Sequence, residues 1–317
     1  MRRGVIIHNP TSGSRNMQPD LIEVRRYLVD RGWSIELEQT RAPGDAGRLA
    51  RAAAEAGLDA ALIAGGDGTL NEAVNALVGT QTAVGLLPCG TANVWARQLR
   101  MPLTHRALIA AARLMAEAQV RSIDVGRATV GLGTVHECSR YFLLWSGLGL
   151  DAHITHSVEP RPASFKRWGV IGYSLAALRA ALAYRGARIE IEIDGRCSTE
   201  RAMLAVVSNT ELYAGYFHLT PQARLDDGWL DVSVFRGERF VTAIGYFLRA
   251  LLHRYVHDSR VMTTRARYVR ISTSTRFDVH VDAEPIGTSP AEFTVEPRAL
   301  QALIPPCAPK SLFEGRI

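Results

Sequence analysis

The segment Gly65-Gly66-Asp67-Gly68-Thr69 constrains this chain more than any other. It follows an uninterrupted apolar run, Ala60–Ala64, and opens a stretch with helical spacing, Leu70–Leu77. A short apolar run bounded by turn formers reads as a strand buried on both faces. Such a strand belongs to a parallel sheet with helices on each side, and open α/β sheets bind ligands beyond the carboxyl ends of their strands. The glycines let backbone N–H groups approach an anion. The helix that follows adds the partial positive charge of its N-terminus. Asp67 stands in this site, where a carboxylate repels phosphate unless Mg²⁺ or a donor hydroxyl lies between. A plain strand–turn–helix connection is the bland alternative, and three glycines around an acid and a threonine argue against it.

The neighbouring segments repeat the theme. Val5-Ile6-Ile7 and Ala83–Leu87 are strand-like, and Trp33–Leu37 alternates. Leu21–Val29, Ala46–Ala56 and Val94–Leu99 are helical in spacing or composition. Strands alternating with helices imply a parallel sheet covered on both faces. Two more strands end in small, hydroxyl-rich loops: Asn9-Pro10-Thr11-Ser12-Gly13-Ser14 and Pro88-Cys89-Gly90-Thr91-Ala92-Asn93. Each alone is a common turn. Together the three loops make a cradle for a triphosphate. The chain has only two lysines, Lys166 and Lys310, and neither sits near the cradle in sequence. That excludes a P-loop, which needs G-x-x-x-x-G-K-[ST], and a protein kinase, which needs its strand lysine.

The character changes near Arg121. From there most segments read as strands: Tyr141–Trp145, Arg188–Ile193, Ala202–Val207, Leu230–Phe235, Tyr268–Ser272, Asp278–Val281 and Phe293–Val295. Asp194-Gly195 and Asp227-Gly228 are turn signals between them. Helical insertions are expected over Phe165–Tyr184 and Phe240–Leu252. The expected architecture is α/β plus β: a three-layer α/β domain over 1–125, rejoined by the tail 298–317, and a β-sandwich over 126–297 with helical decoration. At roughly 150 residues per domain, a chain of 317 residues accommodates two.

Charge is uneven. The chain carries 37 basic and 31 acidic residues, a net +6. The stretches Pro160–Ile189 and Arg239–Arg276 are strongly basic, with Asp258 their sole acid. Solvated helix faces are the ordinary explanation. A surface for anionic lipid headgroups is the sharper one. Nucleic acid is not expected, because aromatic residues are not interleaved with the arginines. Cys89, Cys138, Cys197 and Cys307 are too scattered for a zinc site or a disulfide framework, which fits a reducing cytosol. The N-terminus has no signal-peptide h-region, and the longest apolar stretches are too short or interrupted to span a bilayer. A cytoplasmic protein with peripheral contact at the inner face of a membrane is the expectation.

Three groups of residues now carry a resemblance: Asn9-Pro10-x-Ser12-Gly13, Gly65-Gly66-Asp67-Gly68-Thr69-x-Asn71-Glu72 and Pro88-x-Gly90-Thr91-x-Asn93. They resemble the diacylglycerol kinase catalytic-domain family, which includes bacterial lipid kinases and sphingosine kinases. The second half continues the likeness. Gly147-Leu148-Gly149-Leu150-Asp151-Ala152 resembles the family's G-x-G-F-D-A, with Leu150 for Phe. Gly172-Tyr173, Tyr213-Ala214-Gly215-Tyr216 and Pro221-x-Ala223-x-Leu225-Asp226-Asp227-Gly228-Trp229-Leu230-Asp231 match further elements. Asp282-Ala283-Glu284 stands where the family usually reads Asp-Gly-Glu.

The resemblance implies an ATP-dependent phosphotransferase acting on the hydroxyl of a lipid such as diacylglycerol or a sphingoid base, with its active site in the interdomain cleft. ATP is then expected on Asn9, Pro10, Thr11, Ser12 and Gly13, on Gly65, Gly66, Asp67, Gly68, Thr69, Leu70, Asn71 and Glu72, and on Gly90, Thr91 and Asn93. Thr40 matches the adenine-side threonine. Glu284 matches the general base, Asp67 a residue essential to the Mg²⁺·ATP site to which some relatives assign the base role instead, and Asp124 an acid at the mouth of the cleft. Asp227, with the carbonyls of Arg224 and Trp229, matches a structural Mg²⁺ site. The expected partner is a lipid at a membrane surface, met by the basic second-domain surface, the helix Trp168–Leu182 and the segment Tyr141–Trp145; a homodimer is compatible with all of this. Two apart on a strand, Asp282 and Glu284 are expected to face one side of the cleft. If position 283 needs a left-handed backbone, alanine costs roughly 1 kcal/mol there. An NAD kinase or phosphofructokinase-like enzyme also uses Gly-Gly-Asp-Gly, but Asn71-Glu72 and the Pro88–Asn93 loop favour the lipid kinase. A non-catalytic lipid-binding relative is favoured by Ala283 alone.

Overall fold

The alternation read from the first half folds as β1 (Arg2–His8), α1 (Gln18–Asp30), β2 (Trp33–Gln39), α2 (Asp45–Glu55), β3 (Ala60–Gly65), α3 (Asp67–Leu77), β4 (Ala83–Pro88), α4 (Val94–Gln98) and α5 (Ala107–Glu117). The structure is a computed structural model and describes residues 1–13, 16–103, 107–153, 184–237 and 260–314. The first four strands are parallel, in the order β2-β1-β3-β4. β3 and β4 are buried at every position, as uninterrupted apolar runs require. Right-handed crossovers put α1 on one face and α2 and α3 on the other. The packing agrees: α1 lies against α5, and α2 against α3. From β1 the chain steps to β2, then returns past β1 to β3. Loops leaving β1 and β3 therefore diverge, and a crevice opens between their carboxyl ends.

The second half is antiparallel. Its strands are β5 (Gln119–Val130), β6 (Cys138–Phe142), β7 (Trp145–Gly149), β8 (Ala187–Ile193), β9 (Arg196–Ser208), β10 (Leu212–Tyr213), β11 (Phe217–His218), β12 (Leu230–Arg236), β13 (Val261–Ala266), β14 (Tyr268–Thr273), β15 (Asp278–Val281), β16 (Glu284–Thr288) and β17 (Ala291–Ile304). They run β16-β15-β7-β9-β8-β14-β17, with β12 and β13 branching from β9. β10 and β11 form a separate hairpin. One apolar core lies between the helices and the first sheet, around Ile6, Leu62 and Leu86; a second fills the β-sandwich, around Phe142, Val207, Ile271 and Phe293.

β17 joins the two halves. It pairs with β14 at its start, with β5 along its length, and in parallel with β4 through Ala302 and Val84. Its register against β5 shifts between Glu296 and Leu300, and Arg298 takes a left-handed conformation there, φ 50°. Such a bulge bends a strand, which lets one strand serve two sheets.

The strand expected over Tyr141–Trp145 is split: β6 ends at Phe142, and β7 begins at Trp145. The amides of Leu143, Leu144 and Trp145 donate to a side-chain carboxylate, that of Asp282, rather than to a strand. β5, β13, β16 and α5 were not foreseen. The two helical insertions, Gly172-Tyr173, and the helix Trp168–Leu182 lie outside the described residues, Tyr184 aside. Among the described residues no helix is long and apolar enough to cross a membrane.

One buried acid on β12, on the face opposite the sandwich core, has a measurable signature. Burial pushes the Asp231 carboxyl on β12 up to about 7 from an ordinary 3.8. The folded protein thus keeps a proton that the unfolded chain releases, so stability should fall as pH rises from about 4 to about 7 and level off above. Urea midpoints across that range should show the decline, and Asp231→Asn should flatten it.

Candidate active site

The crevice between β1 and β3 is a cleft of about 620 Å³. Its walls are Asn9, Pro10, Thr11 and Ser12 from the loop after β1, Thr40–Pro43 after β2, Gly66, Gly68, Thr69 and Glu72 at the start of α3, and Glu284 from β16. That volume is of the size that small-molecule sites take.

The loops are locked by short polar contacts. Asn9 Nδ2 donates to Thr69 Oγ1 at 2.9 Å, tying the first loop to α3. Its Oδ1 accepts from the Thr11 amide and hydroxyl at 3.0 and 2.8 Å. Thr40 is buried, and its amide donates to His8 at 2.9 Å. Gly66 caps α3 with no side-chain hydrogen bond, which leaves the first-turn N–H groups for an anion. Gly66 and Gly90 touch backbone to backbone: a Cβ on Gly90 would lie 2.6 Å from the Gly66 Cα. Asn93 closes its loop with Gly90 in both directions, at 3.0 and 2.7 Å. Gly13 turns beneath the Cys89 carbonyl with φ 83°.

Ten of the expected residues therefore meet on the cleft wall: Asn9, Pro10, Thr11, Ser12, Thr40, Gly66, Gly68, Thr69, Glu72 and Glu284. Gly65, Leu70, Asn71 and Asn93 are buried and off the wall, Gly90 is half-buried, and Gly13 and Thr91 are exposed outside it. Asp67 is not a wall residue. Its carboxylate faces the N-terminus of α4, accepting from the Trp95 amide at 3.3 Å; burial pushes the carboxyl up, against the pull of the α4 amides.

Glu284 reaches the cleft from the other domain. Its carboxylate lies over the first turn of α3, where a Cβ on Gly68 would come within 2.6 Å of Oε1. Arg140 on β6 holds it, with Nη2 2.5 Å from Oε2 and Nε donating to Asn71 Oδ1 at 3.0 Å. Asp282 does not share that direction, contrary to the strand expectation. Asp282 and Ala283 form the two-residue turn between β15 and β16, with φ 47° and 68°. The left-handed turn reverses the pleat and sends Asp282 inward. There its Oδ1 accepts from Leu144 and Trp145 at 2.9 and 3.1 Å, and its Oδ2 from Leu143 and Asn71 at 2.9 and 2.8 Å. Burial raises its carboxyl, and these four donors oppose the rise.

Asp124 is also relocated. It is not at the cleft mouth but fully buried at the β17 bulge, where its carboxylate accepts from the Gly228 and Arg298 amides at 2.6 and 2.7 Å. A bulge turns an amide out of the ladder, and this acid receives it. Beside it, Asp227 Oδ1 accepts from Trp229 at 3.1 Å, and Oδ2 faces the Arg265 guanidinium. A guanidinium thus stands on the carboxylate to which the sequence assigned Mg²⁺ with Arg224 and Trp229. No cluster of three His, Cys, Asp or Glu side chains suited to a metal occurs among the described residues. Asp227 Oδ2 is buried and accepts no hydrogen bond, so its charge is met by a cation alone.

Arg41, Ala42, Pro43 and Arg140 were missed. The first three follow Thr40 at the same sheet edge, so strand order alone would have found them. Arg140 had no signal, because β6 was misplaced.

Against this geometry the comparisons are specific. Residues 3–128 match the model of the diacylglycerol kinase catalytic domain, and 146–304 match the YegS C-terminal NAD kinase beta sandwich-like domain. The chain belongs to the diacylglycerol kinase catalytic-domain family. It is 29% identical over 308 residues to a diacylglycerol kinase of Bacillus subtilis, spanning 96% of this chain and 97% of that one. A Staphylococcus carnosus diacylglycerol kinase is 26% identical over 294 residues, 92% of each chain. The crystal structure of a diacylglycerol kinase from Bacillus anthracis superposes with a TM-score of 0.71 at 20% identity, covering 97% of this chain and 98% of the other, which shows the shared fold.

The turn at 282–283 can be tested by stability. Asp282→Ala leaves four buried donors without an acceptor and should cost about 3 kcal/mol or more in urea unfolding. Ala283→Gly relieves the left-handed strain and should gain about 1 kcal/mol.

Proposed function

We propose that this member of the family transfers the γ-phosphoryl group of ATP, bound as its Mg²⁺ complex, to the hydroxyl of a lipid such as diacylglycerol or a sphingoid base. The observation that carries this is the arrival of Glu284 from the second domain over the N-terminus of α3, in the cleft walled by the loops after β1 and β2 and by the start of α3. The loops hold the non-transferred phosphate oxygens, and the open first turn of α3 faces the nucleotide. Phosphoryl transfer asks chiefly for positioning and charge neutralisation, which backbone N–H groups supply. Glu284 accepts the proton of the attacking hydroxyl. Ala283 retains the left-handed turn that glycine takes readily, so Glu284 keeps its place, which speaks against a non-catalytic relative. When bound with the nucleotide, Mg²⁺ would supply neutralisation of phosphate charge. Reversible contact with a membrane surface, through the basic stretches of the second half, brings the lipid to the cleft.

The test is transfer of ³²P from Mg²⁺·[γ-³²P]ATP to mixed micelles holding dioleoylglycerol, sphingosine, phosphatidylglycerol or undecaprenol. One labelled lipid is expected, with Glu284→Gln about 10²–10⁴-fold slower and its ATP affinity unchanged. Label in none of them, with NAD phosphorylated instead, would replace the lipid by a soluble acceptor.

A further inference from the structure

Glu284 sits one residue beyond a strained turn, and the structure holds that turn by a second device besides Asp282. His280 lies at a register shift between β15 and β16 and is 1% exposed. Its Nδ1 lies 3.2 Å from the Ala283 amide nitrogen, which donates to it. A ring nitrogen that accepts an N–H carries no proton, so the proton of the neutral imidazole is on Nε2. Nε2 lies 2.6 Å from Asp151 Oδ2 and donates to it. Tyr213 and Trp145 border the same carboxylate, and the Trp145 ring meets His280 edge-on with centroids 6.4 Å apart. Gly147, opposite His280 on β7, leaves room for the pair: a Cβ there would lie 2.6 Å from Asp151 Oδ2 and closer still to His280 Nε2. Three separated segments of the chain thus converge on one imidazole.

We propose that Asp151 and His280 form a positioning pair: Asp151 fixes the imidazole tautomer, and Nδ1 fixes the Ala283 amide, which aims Glu284 at the acceptor hydroxyl. This rests on the reading of Glu284 as the group that takes the acceptor's proton. A left-handed alanine has no glycine-like ease at its position, so the amide hydrogen bond selects the turn that this chain needs. Misplacing a reacting group by about 1 Å costs up to about 10²-fold in rate, so a pair that never touches substrate still governs turnover.

His280→Asn and His280→Gln separate this role from simple packing. The asparagine oxygen occupies the Nδ1 position and keeps an acceptor for Ala283. The glutamine amide reaches the Nε2 position and does not. Two readouts are taken on the full chain: hydrogen exchange of the Ala283 amide by NMR, and kcat and KM for ATP with whichever lipid of the four-member panel the wild type labels. His280→Gln should speed Ala283 exchange at least about 10-fold and lower kcat about 10- to 100-fold, with KM for ATP unchanged. His280→Asn should restore both to within about 3-fold. Asp151→Asn, which keeps an acceptor oxygen, serves if His280→Gln unfolds, and should show a smaller loss of the same kind. Equal losses in the asparagine and glutamine variants, or faster Ala283 exchange with kcat unchanged, would overturn the proposal. Full turnover by Glu284→Gln would overturn instead the reading of Glu284 on which the pair's purpose rests, and the exchange rates would still decide whether His280 holds the turn.

Discussion

Four N–H groups converge on one buried carboxylate, Asp282, and the two domains meet there. Burying an ion costs several kcal/mol unless its lone pairs are filled, and here each oxygen accepts two bonds. Three donors come from the break between β6 and β7, and the fourth is Asn71 of α3. The carboxylate therefore does three things together. It ends one strand and begins another, it sets the β15–β16 turn, and it ties that turn to the helix whose N-terminus faces the cleft. Glu284 is two residues away, so the geometry of the site follows from satisfying this charge.

Asp124 repeats the solution at the other junction. There β17 changes sheets, and the bulge that allows the change turns the Arg298 amide inward. Asp124 takes that amide and the Gly228 amide, and Asn209 covers the Asp124 carbonyl at 2.9 Å. The resemblance made Asp124 an acid of the cleft mouth, and strand alternation put Asp282 in the cleft beside Glu284. In the structure both are buried anchors for backbone that the sheets leave unpaired. Their carboxylates support the cleft from behind, while Glu72 and Glu284 stand on its wall.

Local chemistry explains what was legible in the sequence. Ala60–Ala64 and Ala83–Leu87 are strands buried on both faces, so their composition alone declares them, and the loops at their ends follow from the sheet. The wall residues Asn9–Ser12 and Gly66–Glu72 were readable because one strand–loop–helix rule places both loops. The edge and bridging strands were not. β5 and β17 alternate only in part, being buried by one domain at one end and by the other domain at the other. The direction of Asp282 was misjudged because strand alternation fails where two successive residues take positive φ, and neither aspartate nor alanine announces such a turn as Asn-Gly would. Arg140 reaches Glu284, and His280 reaches Asp151, across more than 120 residues of sequence, and no local pattern carries those pairings.

The proposed triphosphate site has no lysine among the described residues of its wall. Of the described residues on its wall, Arg41 is the basic one, and Glu72 and Glu284 are acids. Each acid is already engaged, Glu72 by the Ala46 amide at 3.2 Å and Glu284 by Arg140. What remains to meet phosphate oxygens is the backbone: loops packed closely enough to expose their N–H groups, and the uncapped first turn of α3. These partial charges are fixed in place and cost no side-chain ordering when the ligand arrives, but they do not cancel a triphosphate's full charge. A wall with more carboxylate than cation repels a bare nucleotide and tolerates one that carries its own divalent counter-ion.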